Sequence, residues 1–302
     1  MLARLQKFIT FLLLTVALIW AGHFVRIGQP LLGGVGALLI VLGYAGLLGI
    51  EFVLLYFVHG RELTLRPAGV QLLRAWWGEV VCTPKVFLWR QPFRSNVESD
   101  NLQRGPQRQH GVVLVHGLVC NRGFWNPWMR ELRARQVPFI AVNLEPVFGS
   151  IDHYPRIIEA AVARLEAATA MRVVLVGHSM GGLAIRAWLA RFGGDARMHR
   201  AITIGSPHQG TWLAHCSAAI NAKQMRLHSP WLKLLADQET TDRRARFTCF
   251  FGHCDNIVMP IDCATLPDAQ NVHVPATAHV QMAFRPVVFD ELCRWLRPAA
   301  AR

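Results

Sequence analysis

No C-x-x-C pair occurs in this sequence, and its seven cysteines follow no framework spacing. The first absence argues against a zinc site. The second, with an odd count, argues against a disulfide scaffold and for reduced thiols. Acidic residues are scarce, 19 against 32 lysines and arginines, for a formal net charge of +13. The basic excess is scattered, and no DNA- or RNA-binding motif accompanies it, so nucleic acid is not an expected partner. Internal repeats and low-complexity tracts are also missing.

Two long stretches lack acidic residues altogether: 8–25, "FITFLLLTVALIWAGHFV", and 31–50, "LLGGVGALLIVLGYAGLLGI". A bilayer core is crossed by about 20 apolar residues in helical form, so both are candidate spans. The second runs on past Glu51 into "FVLLYFV", which gives spans of about 8–25 and 31–55. A cleaved signal peptide would account for the first stretch alone. A transmembrane hairpin over residues 1–60 accounts for both. Gly33, Gly36, Gly43, Gly46 and Gly49 fall near one face and are expected to let the second helix pack closely on the first, unless they are merely the glycines common in membrane helices. Arg4 and Lys7 precede the hairpin, Arg61, Arg66 and Arg74 follow it, and the loop holds only Arg26. That bias places both ends in the cytoplasm, with the rest of the chain there too and the periplasm as the alternative.

Residues 61–109 form a juxtamembrane segment and linker. Residues 71–94 mix Trp76, Trp77 and Trp89 with Arg74, Lys85, Arg90 and Arg94, which suits a collar in the headgroup layer or, equally, a segment packed on the globular domain. Residues 95–109 are polar with Gly and Pro and read as linker.

From residue 110 to 302, short apolar runs alternate with helical patterns. Strands are expected at 111–117, 137–144, 172–177, 200–206, 246–252 and 271–276. Such alternation makes an α/β fold, a mostly parallel sheet with helices on both faces. Residues 211–245 break the rhythm as a cap insertion.

"GHSMG" (177–181) fits G-x-S-x-G between an apolar strand and a helix. The pattern alone is weak; its placement makes it specific. A strained turn there would lift the Ser179 hydroxyl above the sheet edge, and side chains at Gly177 or Gly181 would collide with the neighbouring strand and helix. A serine needs a base, and the base needs a carboxylate to orient it. Asp255 follows an expected strand and is preferred over Asp262, Asp268, Asp237 and Asp242. His279 lies in the loop before the last helix and is preferred over His273, inside a strand, and His253, which precedes the acid. The oxyanion donors are expected to be the N–H groups of Met180 and Leu118, with Gly117 permitting the bend. His116 and His178 read as structural.

"VVLVHGL", "VVLVGHSMGGLAIRAWLARF" and "AITIGSPHQGTWLA" together resemble the bacterial triacylglycerol lipases and related esterases of the α/β-hydrolase fold, over about residues 110–297. The resemblance implies ester hydrolysis through an acyl-enzyme, with Ser179, Asp255 and His279 as the triad and no cofactor. "AHVQMAF" lacks the acid with which several such lipases bind calcium, so no metal is expected. The expected substrate is lipid or another apolar acyl ester. Trp212, Met225, Trp231 and Leu235 in the insertion are expected to line a lid over the site, or else to pack on the sheet. An acyltransferase with the same triad, a silent membrane scaffold and a transporter are the competing readings. Two spans with no charge beyond Glu51 make a poor transport pathway.

Overall fold

The computed structural model describes residues 1–58, 66–103 and 109–296. Arg61, used above for orientation, and the centre and end of the chain at 104–108 and 297–302 lie outside the described residues. Two long helices open the chain, α1 (Leu2–Arg26) and α2 (Pro30–Val58). They are apolar nearly all round, and most of their large side chains are exposed. A helix with this surface is not made to stand in water. The base of the pair is buried, with Leu2, Gln6 and Thr10 on α1 and Phe52 and Leu55 on α2; beyond it only Ala17 and Gly33 are buried. The rest projects from the domain. Of the five glycines expected to face α1, Gly33 and Gly36 do so, against Ala21 and Trp20. Gly43 and Gly46 face open space, and Gly49 faces Trp76, because α2 turns its last third toward a different partner.

That partner is α3 (Gly69–Pro84), which continues through a π-helical stretch, Lys85–Arg90, into the short turn Gln91–Phe93. The π stretch begins directly after Pro84, whose missing N–H removes one rung of the α ladder. Ala75, Glu79, Val80 and Val86 are buried, while Leu73, Trp77, Val81 and Trp89 are exposed. Tyr44 donates its hydroxyl to the Val80 carbonyl at 2.9 Å and Trp76 donates Nε1–H to the Ala45 carbonyl at 3.0 Å, tying α3 along α2. Residues 71–94 are therefore packed on the domain by one face and bare on the other.

Six strands follow: β1 (Val112–Val115), β2 (Phe139–Ala141), β3 (Val173–His178), β4 (Met198–Ile204), β5 (Phe247–Phe251) and β6 (Gln270–His273). They form one sheet, β2-β1-β3-β4-β5-β6, with every pair parallel. Each expected strand is present. Side chains alternate between two cores. Val113, Val115 and Leu175 join the helices Pro155–Thr169 and Met180–Phe192, whereas Val112, Leu114 and Val174 meet the helices Asn126–Ala134 and Pro286–Trp295. Both faces are covered, which is why β1 and β2 and the start of β3 are apolar at every position and not at every second one, whereas the edge strand β6 reads Gln-Asn-Val-His and is half exposed. Part of the expected linker is built into the sheet edge: Asn101 exchanges backbone hydrogen bonds with Phe139 at 3.0 and 2.7 Å.

Candidate active site

β3 ends at His178, and the helix Met180–Phe192 starts two residues later. Ser179 fills the corner at φ 56° and ψ −127°. A non-glycine residue there carries strain on the order of 1–3 kcal/mol, held by the elements on either side. The corner is tight. A Cβ on Gly177 would lie 2.7 Å from the Gly182 nitrogen, and one on Gly181 would overlap the Val115 carbonyl oxygen of β1. Gly117 faces the serine itself, with room for no more: a Cβ there would be 2.8 Å from the Ser179 Cβ.

Asp255 follows β5 and is 1% exposed. Its Oδ1 accepts from the N–H groups of Ile257 and Val258 at 2.9 Å each, which fixes the carboxylate within its own loop. Both oxygens lie 3.0 Å from His279 Nδ1. With Asp255 ionised, Nδ1 carries the proton and donates it, leaving Nε2 free to act as a base. Burial pulls the His279 pKa down; Asp255, followed by Glu79 and Glu51, more than offsets that and leaves it above the ordinary value. Gly205, at the end of β4, was missed in the sequence. It sits at φ +52°, and a Cβ there would be 2.9 Å from Asp255 Oδ2 and 3.0 Å from His279 Nδ1. Only glycine suits this backbone and leaves space for the pair.

The turn after β1 is pinned by His116. Its Nε2 accepts from the Leu144 N–H at 3.0 Å, so the proton is on Nδ1, which donates to the Gly117 carbonyl at 2.9 Å. Burial lowers its pKa to about 4, and the ring is neutral. Because a peptide unit is planar and trans, holding the Gly117 carbonyl also sets the direction of the Leu118 N–H. His178 is fixed similarly: its Nε2 donates to the His279 carbonyl at 3.2 Å, and its ring stacks on Phe124. Burial, then neighbouring His279, hold its pKa well below the usual value.

Ser179 and His279 line one cavity of about 290 Å³, with Gly117, Leu118 and His178. The opposite wall comes from the N-terminal helices: Leu48 and Glu51 of α2, then Glu79, Thr83 and Phe87. The cap residues are elsewhere. Met225 and Leu235 are buried in the core that includes the helix Met180–Phe192, and Trp231 packs on it while donating to Asp152 Oδ1 at 2.9 Å. Trp212 packs beside Phe52 and Trp76 at the α2–α3 junction. The insertion is tied down by Arg186, which pairs with Glu239 through two hydrogen bonds of 2.7 and 2.9 Å, both side chains 1% exposed. Met225, Trp231 and Leu235 thus take the packed alternative on the sheet-covering helix, Trp212 sits at the α2–α3 junction, and other residues wall the cavity. Glu51, Glu79, Asn256 and Gly205 were not singled out as site residues in the sequence. The visible signals were lone acids: Glu51 in an apolar run and Glu79 among tryptophans.

Residues 112–300 match the alpha/beta hydrolase family. No curated protein sequence matches the chain. Among solved structures, the mature form of a Bacillus licheniformis lipase is similar at a TM-score of 0.54 and 18% identity, over 65% of this chain and 96% of that one. Its propeptide form gives 0.55 and 18%, over 68% and 55%. Aspergillus fumigatus lipase B gives 0.50 and 18%, over 56% and 45%. At this identity the likeness is one of fold.

Proposed function

The chain belongs to the alpha/beta hydrolase family, and from that membership and the site geometry we propose that it is a membrane-anchored serine hydrolase of apolar acyl esters. The observation that carries this reading is His279, held by Asp255 behind it, sharing a largely apolar cavity with a serine on a strained elbow. Ser179 Oγ attacks the acyl carbonyl while His279 Nε2 takes its proton. Asp255 holds Nδ1–H and stabilises the imidazolium that forms. The N–H groups of Met180 and Leu118 receive the charge on the substrate oxygen. His279 then protonates the departing alcohol, and water repeats the sequence to release the acid and free Ser179. An acyl chain suits the wall of Leu48 and Phe87, and the bare apolar face of α3 suits the bilayer surface beside the hairpin.

A fluorophosphonate probe tests the nucleophile. It should label the full-length protein and fail on Ser179→Ala; equal labelling of both would remove Ser179 from the mechanism. For the side of the membrane, we place the domain in the cytoplasm on the basic flanks. An alkaline phosphatase fused at the C-terminus should be silent, and strong activity would put the domain in the periplasm.

A further inference from the structure

The N-terminal helices do more than wall the cavity. Glu79 is 1% exposed and spreads its carboxylate over two successive amides, Oε1 accepting from Val280 N–H at 2.9 Å and Oε2 from Gln281 N–H at 3.0 Å. Those residues directly follow His279. Glu51 of α2 accepts from Asn256 Nδ2 at 2.6 Å, and Asn256 Oδ1 in turn accepts from the His279 N–H at 3.2 Å. Across the cavity, buried Gln91 accepts from Asn121 N–H at 2.9 Å through its side chain and from Asn121 Nδ2 at 3.1 Å through its carbonyl. Gln6 of α1 donates to Gln91 Oε1 and to the Val119 carbonyl, both at 3.3 Å. Helices that needed only to pack would carry leucine at such positions, because burying carboxylates and amides is unfavourable unless each finds a partner. Here every one reaches a loop beside Ser179.

We propose that Glu79, Glu51 and Gln91 are positioning residues, which hold the His279 segment and the 118–121 turn in register and make the anchor helices a structural part of the catalytic centre. The proposal rests on the reading of Ser179, Asp255 and His279 as the triad. It carries an electrostatic signature. His279 is faced by Asp255, Glu79, Glu51 and the neutral ring of His178. The ionised form of Glu79 raises the His279 pKa, and Glu79 ionises as pH rises through about 7, so Glu79→Gln lowers the His279 pKa over that range. Gln91 carries no charge and can act on geometry alone.

The test uses full-length protein in detergent and p-nitrophenyl butyrate across a pH series, with melting temperatures in the same detergent. Glu79→Gln keeps the shape but offers one acceptor oxygen where two amides need partners. Its kcat should fall on the order of 10²-fold with KM little changed, and the acid limb of its kcat/KM profile should move to lower pH. Glu51→Gln should do the same more weakly. Gln91→Leu should lower kcat and leave the acid limb in place. Glu79→Asp should recover part of the lost kcat with the original limb. Wild-type kcat and limb in both Glu→Gln variants would overturn the proposal. So would a fall in kcat that tracks the melting temperature with no movement of the limb, which is the mark of a purely structural contact. Ser179→Ala runs alongside. Turnover that survives in it overturns the triad reading and this proposal together, whereas its loss beside unaffected Glu variants overturns the proposal alone.

Discussion

Two segments of this molecule carry apolar side chains suited to covering an active site, the insertion at 211–245 and the pair α2–α3. They end in opposite situations. The insertion turns Met225 and Leu235 into the main core and is clasped by a buried ion pair. The helices, though remote in sequence from Ser179, place Leu48, Glu51, Glu79, Thr83 and Phe87 across from it. The lesson is that composition nominates a cover, but the partner a segment must satisfy decides where it lies. Met225, Trp231 and Leu235 of the insertion meet the core that includes the helix Met180–Phe192. The acids of α2 and α3 meet amides on the loops around Ser179.

The comparison presupposes that the cavity is where chemistry happens, and the largest effect tests that. Ser179→Ala, Asp255→Asn and His279→Ala should each lower kcat by roughly 10⁴-fold or more without unfolding the protein. Near-normal turnover in Asp255→Asn would remove the acid from its role. The insertion's side comes next. Glu239→Ala leaves Arg186 buried and unpaired, and should cost about 3–5 kcal/mol in stability. Its ratio of long- to short-chain ester turnover should not change, and a changed ratio would restore the insertion as a cover.

On the helix side, Glu79 makes stability depend on pH. Burial, opposed by its two backbone hydrogen bonds, raises its pKa from the ordinary 4.5 to about 7. A raised folded pKa means the folded chain holds a proton that the unfolded chain releases. The resulting stability is complete below about pH 4.5 and is lost as pH climbs through 7, by about 3 kcal/mol. His279, also raised, adds a loss of the same sign above its ordinary 6.5. Relative to wild type, Glu79→Gln should flatten the fall in melting temperature between pH 4.5 and 7; parallel curves would show that Glu79 does not titrate there. The smallest effect concerns the acyl chain. Leu48→Ala and Phe87→Ala should penalise long-chain esters more than short ones, by up to about 0.8 kcal/mol for each methylene that loses its contact. An equal penalty at all lengths would place the chain elsewhere.

The sheet was legible because its signals are local. Most strands are short apolar runs, with the edge strand Gln270–His273 the exception, and the glycines around Ser179 crowd one corner that any reader can locate. The cover was not legible, for a reason visible in particular pairs. Glu79 and Val280 meet across 201 residues, and Glu51 and Asn256 across 205. No periodicity encodes such a contact. Trp231 and Leu235 show the converse error, since an amphipathic helix has the same pattern whether its apolar face meets a substrate or a neighbouring helix. Gly205 was hidden because the groups that leave no room for a side chain there, Asp255 and His279, lie 50 or more residues further along the chain.

The exposed part of the hairpin is shorter than its helices. Counted from Phe11, where α1 leaves the domain, to Arg26 at its tip, it reaches about 24 Å at helical rise. The hydrocarbon layer is about 30 Å thick. Under the proposed anchoring, with the tip at the far headgroups, the domain would be drawn down until the exposed Leu73, Trp77 and Val81 entered the near leaflet. An enzyme seated that low meets its substrate by lateral diffusion. Its rate then follows the mole fraction of ester among the surrounding lipids, and diluting the vesicles in buffer leaves it unchanged.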